Sequence, residues 1–312
     1  MPIFNRLDDL KKTLLHNLEV LSQFHRVKLI VNLFDRDDDA YRWANEAGRA
    51  YIDSGLLSIN QMPPLNAWHA SWAKNSFTSH IEEGFYSGLD GDNYLTVEEV
   101  LRTKQAIAEF GPCLIHHFSG RWGDGTCGRV TLPAALYRRG GHNDDLLPRQ
   151  FEEFSLILNA LSIEPTLPII SRFGVNIFKK SHYLRLLAKY DDWAQAPIGC
   201  DLGQAPAPEN PKSDAYVREN AVYRHFGWIN GYYSLYKVAQ SRAGRAEMAR
   251  RVKKALNNAV TSEAFPALAR HVFHSKQNQG FAPGASEQTR ITLVKKCTAE
   301  THAWLSQQRA GG

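Results

Sequence analysis

Leu7, Leu10, Leu14, Leu18 and Leu21 are spaced 3, 4, 4 and 3 apart, which places them on one face of a helix. Asn5 stands before that run as an N-cap, and Asp8 and Asp9 lie where the positive helix end favours acids. The apolar stretch 27–34 reads as a buried strand, Asp35 to Asp39 as an acidic loop, and Trp43, Ala44, Ala47 and Tyr51 as the face of a second helix. A strand at Leu56 to Ile59, a helix at 68–83, a short strand within 84–89, a helix ending near Phe110 and a strand at 113–118 follow. Repeated β-α units predict an α/β fold with a doubly wound, mainly parallel sheet, whose ligands bind beyond the C-terminal strand ends.

The pattern changes near residue 160. Pro197, Pro206, Pro208 and Pro211 punctuate a loop over 194–213, and the chain from Tyr216 onward reads as helices. This predicts an α/β core over 1–160 and a mostly helical region over 161–312. Residues 236–256 hold seven Lys or Arg against the single acid Glu247, a pattern that a solvated helix face or an amphipathic helix resting on anionic lipid would share. The 312 residues carry a net charge of +5, which suits anionic ligands but lacks the concentrated charge of a nucleic-acid binder. No apolar run approaches the roughly 18 residues of a membrane span, and 1–6 do not form a signal-peptide pattern. Cys113, Cys127, Cys200 and Cys297 show no Cys-x-x-Cys spacing, so a zinc site or a disulfide framework is not indicated, in keeping with a cytoplasmic setting.

The chemistry concentrates in Asp90-Gly91-Asp92-Asn93-Tyr94, between the strand-type run 84–89 and the helix start Thr96-Val97-Glu98-Glu99. Two carboxylates one residue apart at a strand end suit a hard divalent cation shared with substrate phosphates, and a glycine between them leaves room for a diphosphate. The same residue types also make ordinary strand-to-helix turns.

In this order the chain carries Asn5-Arg6-Leu7-Asp8-Asp9-Leu10, Lys74-Asn75, Leu89-Asp90-Gly91-Asp92-Asn93, Asp124-Gly125-Thr126-Cys127-Gly128-Arg129, Arg139-Gly140-Gly141-His142-Asn143 and Glu152-Glu153. Over about residues 2–160 this resembles the bacterial family-2-type glycosyltransferases with the GT-A fold. The resemblance implies sugar transfer from a nucleotide-diphosphate donor to a glycan, lipid-linked or other hydroxyl acceptor, with inversion and with Mn²⁺ or Mg²⁺. Residues 1–160 would bind the nucleotide sugar and 161–312 would lie on the acceptor side. Asp92 would bind the metal, and Asp90 the ribose or a metal-bound water. Lys74 would offset phosphate charge, with Asn75, Asn93 and the Asn5-Arg6 opening supporting the donor. Glu153 would be the base that takes the acceptor's proton, with Glu152 beside it binding acceptor or tuning it. In the loop 120–126, Trp122 would form an acceptor wall and Asp124 would hold sugar hydroxyls. Trp228 and Asn230 would either approach the donor or make a buried helix contact. His142, His182 and His225 are candidates for a third metal ligand, whereas His116 and His117, adjacent on a strand, point to opposite faces.

The chain also departs from that pattern. Only Met1 to Phe4 stand where members carry a full first strand. The aspartate expected at the end of the next strand falls at Leu33, leaving Asn32 and Asp35 as substitutes, and Glu152-Glu153-Phe154-Ser155 lacks the motif's second acid. Two other classes therefore stay open: a metal-dependent nucleotidyltransferase, and a family member that binds nucleotide sugar or glycan without turnover. The expected location is cytoplasmic, with peripheral contact to the inner membrane through 236–256.

Overall fold

The computed structural model describes residues 1–118, 128–171, 174–176, 214–239 and 241–277. The chain divides into two compact units. One comprises Met1–Leu65, Ala73–Gly141 and Ile163–Pro211, and the other Asn66–Trp72, His142–Ser162 and Lys212–Gly312.

The first unit opens with β1 (Pro2–Ile3), α1 (Leu7–Ser22) and β2 (Leu29–Leu33), followed by α2 (Asp39–Ala47), α3 (Arg49–Asp53) and β3 (Leu57–Gln61). β1 and β3 flank β2, both parallel to it, so the short N-terminal segment does contribute a strand. The leucine stripe of α1 is buried against this sheet: Leu10, Leu14 and Leu18 join Ile3, Val31, Leu33 and Leu57 in one core. The single helix expected over Trp43 to Tyr51 is broken at Gly48. A side chain there would meet Leu57 Cδ2 at 2.5 Å and the Ala44 carbonyl at 2.8 Å, so the junction of α2 and α3 needs a glycine where it packs against β3.

α4 (Ala70–Asn75) ends in a 3₁₀ turn at Ser76–Ser79, which shortens the helix expected over 68–83. β4 (Phe85–Ser87), α5 (Val97–Phe110), β5 (Leu114–His116), β6 (Val130–Pro133) and α6 (Ala134–Gly140) follow. Thr96 caps α5, its hydroxyl accepting the Glu99 N–H at 3.2 Å. A second sheet has the order β4-β6-β5-β7-β8, with β7 (Ile169–Ser171) and β8 (Gly174–Asn176). Only its β5–β7 pair is parallel. The fold is thus α/β with one parallel sheet, but the expectation of mainly parallel pairing holds for the first sheet and not for the second. β6 returns antiparallel between β4 and β5, an arrangement that alternating β-α signals did not foretell.

In the second unit lie α7 (Glu152–Ile163, whose last residue falls in the first unit), α8 (Asp214–Lys237), α9 (Arg242–Val260) and α10 (Phe265–Gln277). Tyr223, Phe226 and Ile229 of α8 pack with Val252, Ala255, Leu256 and Ala259 of α9 and Leu268 of α10. The basic span 236–256 is not a single helix. The span crosses the end of α8 and enters α9, and the apolar face of α9 is already covered by α8. Several of its cations have partners within the unit: Lys237 pairs with Asp145 at 3.0 Å, and Arg250 and Arg251 both pair with Glu247. Among the described residues no helix is long and apolar enough to cross a membrane.

Candidate functional site

The Asp90-Gly91-Asp92 turn is held from beneath by polar residues of α1. Thr13 Oγ1 donates to the Gly91 carbonyl at 2.7 Å, and Asn17 Nδ2 donates to the Asn93 carbonyl at 2.9 Å. Asn17 Oδ1 accepts the Leu95 N–H at 2.7 Å, and His16 Nε2 lies 2.9 Å from the Leu95 carbonyl. The Asn93 N–H closes the turn on the Asp90 carbonyl at 3.1 Å. Thr13 and Asn17 are fully buried among the leucines, where a polar side chain is tolerated because its hydrogen bonds are made. A side chain at position 91 would fall 2.4 Å from Ile3 Cδ1. Gly91 is therefore small because β1 packs against it, a reason separate from the diphosphate clearance read from the sequence.

Lys74 and Asp90 come together, Nζ to Oδ1 at 3.3 Å. The lysine side chain is 4% exposed and the aspartate 35%, so the pair has a buried positive end and an open negative end. Lys74 therefore faces inward and not to solvent. Its backbone is fixed by Tyr137, whose hydroxyl donates to the Lys74 carbonyl and whose ring stacks on Tyr86 at 3.9 Å. Asn75 sits beneath the Arg139-Gly140-Gly141 turn. Gly141 adopts a φ of +52°, and a side chain on it would meet Asn75 Oδ1 at 2.9 Å. Asp92 is half-buried at the turn, and Asn93 is buried.

Asn5 does not cap α1. It takes a φ of 52°, a left-handed conformation that asparagine tolerates better than most residues. Its N–H donates to Asp35 Oδ1. The helix begins instead after Arg6, which is exposed and pairs with Asp9 at 2.8 Å. Asp35 stands just past β2, and its Oδ2 is buried without a hydrogen-bond partner among the described residues. Burial, opposed by the Asn5 N–H, raises its carboxyl pKa above the usual range. Asn32 is fully buried within the sheet. Its Nδ2 donates to Ser76 Oγ at 2.6 Å and its Oδ1 accepts from Asn60 at 2.8 Å, so its polar atoms serve the fold and not a ligand. Of the two substitutes at the end of β2, Asp35 alone keeps an acceptor to offer.

In the second unit Glu152 and Glu153 occupy the first turn of α7, where the helix dipole favours carboxylates, and both are buried. The Glu152 carbonyl lies 3.0 Å from His142 Nδ1 and accepts from Ser155 Oγ at 2.8 Å. The chain enters α7 through Gln150 and Phe151, which have φ values of 77° and 65°. Asn230 is 1% exposed and bonds to the backbone of this same segment, which makes it the buried helix contact and not a donor-facing residue. Trp122, Asp124 and His182 lie outside the described residues.

No protein family's sequence pattern matches the chain, and no curated protein matches it. Solved structures do. The mannosyltransferase PcManGT from Pyrobaculum calidifontis, in complex with GDP-Man and Mn²⁺, matches over 97% of this chain and 85% of its own, at 12% identity and a TM-score of 0.45. S. aureus TarS 1–349 in complex with UDP matches over 95% and 89%, at 11% identity and a TM-score of 0.44. Likenesses this slight assign a role to no residue.

Sequence reasoning missed a buried cluster behind the turn. Glu99 pairs with Arg129 through Oε2 and with His117 Nδ1 at 3.2 Å, and Arg129 Nη2 also donates to the Tyr94 carbonyl at 3.1 Å. Burial alone would raise the Glu99 carboxyl, but Arg129 and His117 outweigh it and hold the pKa at about 2. The signals in the chain were Glu99 in the helix start that Thr96 caps and Arg129 at the end of the glycine-rich segment 124–129. Among the described residues no group of three His, Cys, Asp or Glu is placed to hold a metal ion. Two half-buried aspartates on one fixed turn nevertheless fit a hard cation that draws its other ligands from phosphate and water.

Proposed function

We propose that the chain is a glycosyltransferase that moves a sugar from a nucleotide-diphosphate donor to a hydroxyl acceptor, as a GT-A-type, inverting, metal-dependent enzyme. The observation that carries this reading is the rigid Asp90-Gly91-Asp92 turn with buried Lys74 paired to its open carboxylate. A departing diphosphate needs its developing negative charge met by positioned cations, and a site that holds them in advance lowers the barrier without reorganising. Lys74 supplies one fixed cation. Asp92 and Asp90 would hold Mn²⁺ or Mg²⁺, which when bound acts as a Lewis acid on the diphosphate oxygens. Asp35, with its buried acceptor at the end of β2, would read a donor group bearing an N–H or O–H. Glu153, by the resemblance of its motif, would take the proton from the acceptor hydroxyl as that oxygen attacks the anomeric carbon. The donor would be a nucleotide sugar and the acceptor a glycan or lipid-linked glycan.

Product analysis tests the reaction class. With Mn²⁺ and a panel of UDP- and GDP-sugars, the reading expects release of a nucleoside diphosphate and its loss in Glu153→Gln. Pyrophosphate released from a nucleoside triphosphate would point to nucleotidyl transfer. Donor binding unchanged in Glu153→Gln, with no diphosphate released by either protein, would point to a binding role.

A further inference from the structure

Asn230, near the middle of α8, makes four hydrogen bonds to one short stretch of backbone. Its Oδ1 accepts the Leu147 N–H at 2.8 Å, and its Nδ2 faces three carbonyls, of Leu147 at 3.1 Å, Arg149 at 2.9 Å and Gln150 at 2.8 Å. All lie in the second unit. The stretch leads directly into Gln150 and Phe151, two consecutive non-glycine residues with positive φ, and then into Glu152 and Glu153 at the start of α7. Left-handed backbone is disfavoured for residues with a Cβ and persists only where the surroundings hold it. Phe151, 2% exposed and packed on Phe154 at 4.7 Å between ring centroids, anchors the second of these residues. Asn230 anchors the carbonyl of the first. Arg149 is held in turn over the Tyr223 ring at 4.6 Å, again from α8.

We infer that Asn230 is a positioning residue for Glu153: it holds the Leu147–Gln150 turn so that the chain enters α7 in the one conformation that sets the direction of the helix's first carboxylates. The inference rests on the reading of Glu153 as the base. It adds the residue that fixes this base and assigns the left-handed pair a purpose. An asparagine suits the task because one planar amide supplies both the acceptor for an N–H and the donors for carbonyls that a turn leaves without helical partners.

The test compares wild type with Asn230→Ala, Asn230→Ser, Gln150→Gly and the double variant Asn230→Ala/Gln150→Gly. Glycine adopts positive φ without a steric penalty, so it removes much of what the clamp must hold. Hydrogen exchange should accelerate over 142–156 in Asn230→Ala and return toward wild type in the double variant. In the diphosphate-release assay with UDP- and GDP-sugars, kcat should fall about 10- to 100-fold with donor KM little changed, and Gln150→Gly should restore part of it. If Asn230→Ala fails to fold, Asn230→Ser, which keeps a short polar group, carries the comparison. Faster exchange with unaltered kcat would make Asn230 merely structural and overturn the inference. So would the absence of rescue by Gln150→Gly. Turnover unaffected by Glu153→Gln, or no turnover with any donor, would remove the reading of Glu153 and the inference with it, and the exchange data distinguish that failure from failure of the clamp.

Discussion

Removing Arg129 should damage the protein more than its single position suggests, because Glu99 would be left charged in the interior. The magnitude follows from the carboxyl. Its pKa stands near 2 in the fold, against an ordinary value of 4.5. A difference of that size corresponds to ~3 kcal/mol of stabilisation of the charged form at neutral pH. Loss of one partner from a buried pair costs a similar ~3–5 kcal/mol. Arg129→Met should therefore lower unfolding free energy by about 3 kcal/mol, whereas Glu99→Gln/Arg129→Met, which removes both charges, should recover part of the loss. The sign with pH is fixed as well. A depressed carboxyl contributes fully above its unfolded pKa and loses that contribution as pH falls from about 4.5 toward about 2, so the stability gap between wild type and Glu99→Gln should narrow over that window. Urea titrations at about pH 7 and at about pH 3 measure the gap, and native-state hydrogen exchange over 94–133 assigns it to this sheet. Equal stability of wild type and Arg129→Met at neutral pH, or a gap that widens on acidification, would refute the reasoning.

Lys74→Met replaces a buried cation by an apolar side chain of similar length. Because Asp90, unlike Glu99, keeps contact with solvent, stability should change by only about 1 kcal/mol, while nucleoside diphosphate affinity, measured by calorimetry, should fall about tenfold or more as a charged contact is lost. Asp35 has the opposite pH signature to Glu99. A carboxyl raised by burial costs stability once it ionises, so wild-type stability should decline as pH rises through its shifted range, and Asp35→Asn should lessen that decline in thermal melts across pH. A slope identical in the two proteins would contradict the burial of that carboxylate.

Much of the first unit was legible because its signals are local. The leucine spacing of α1, the Thr96 cap of α5 and the apolar run of β2 each lie within one turn or strand of the residues that explain them. The need for a glycine at 48 was not legible, since a side chain there would meet Leu57, on the next strand. Nor was the burial of Asn32, which depends on Ser76 and Asn60. Thr13 and Asn17 could have been found: polar residues at helical spacing inside a leucine stripe need buried partners, and here those partners are the backbone of the Asp90 turn. The Glu99–Arg129–His117 cluster joins residues 30 and 18 positions apart, and Asn230 reaches back 80 or more, so no pattern along the chain announces either. The antiparallel return of β6 was hidden for the same reason, because pairing direction is set by the path of the chain and not by the composition of a strand.

The central claim is that the Asp90 turn binds a diphosphate through a divalent cation. The most direct test is thermal stabilisation by UDP, GDP, CDP and TDP, each with and without Mn²⁺, in wild type and Asp92→Ala. The account predicts a metal-dependent rise with at least one nucleotide, of about 2.7 kcal/mol at a hundredfold excess over its dissociation constant, and its loss in Asp92→Ala. No rise with any nucleotide, or an equal rise in Asp92→Ala, would contradict it.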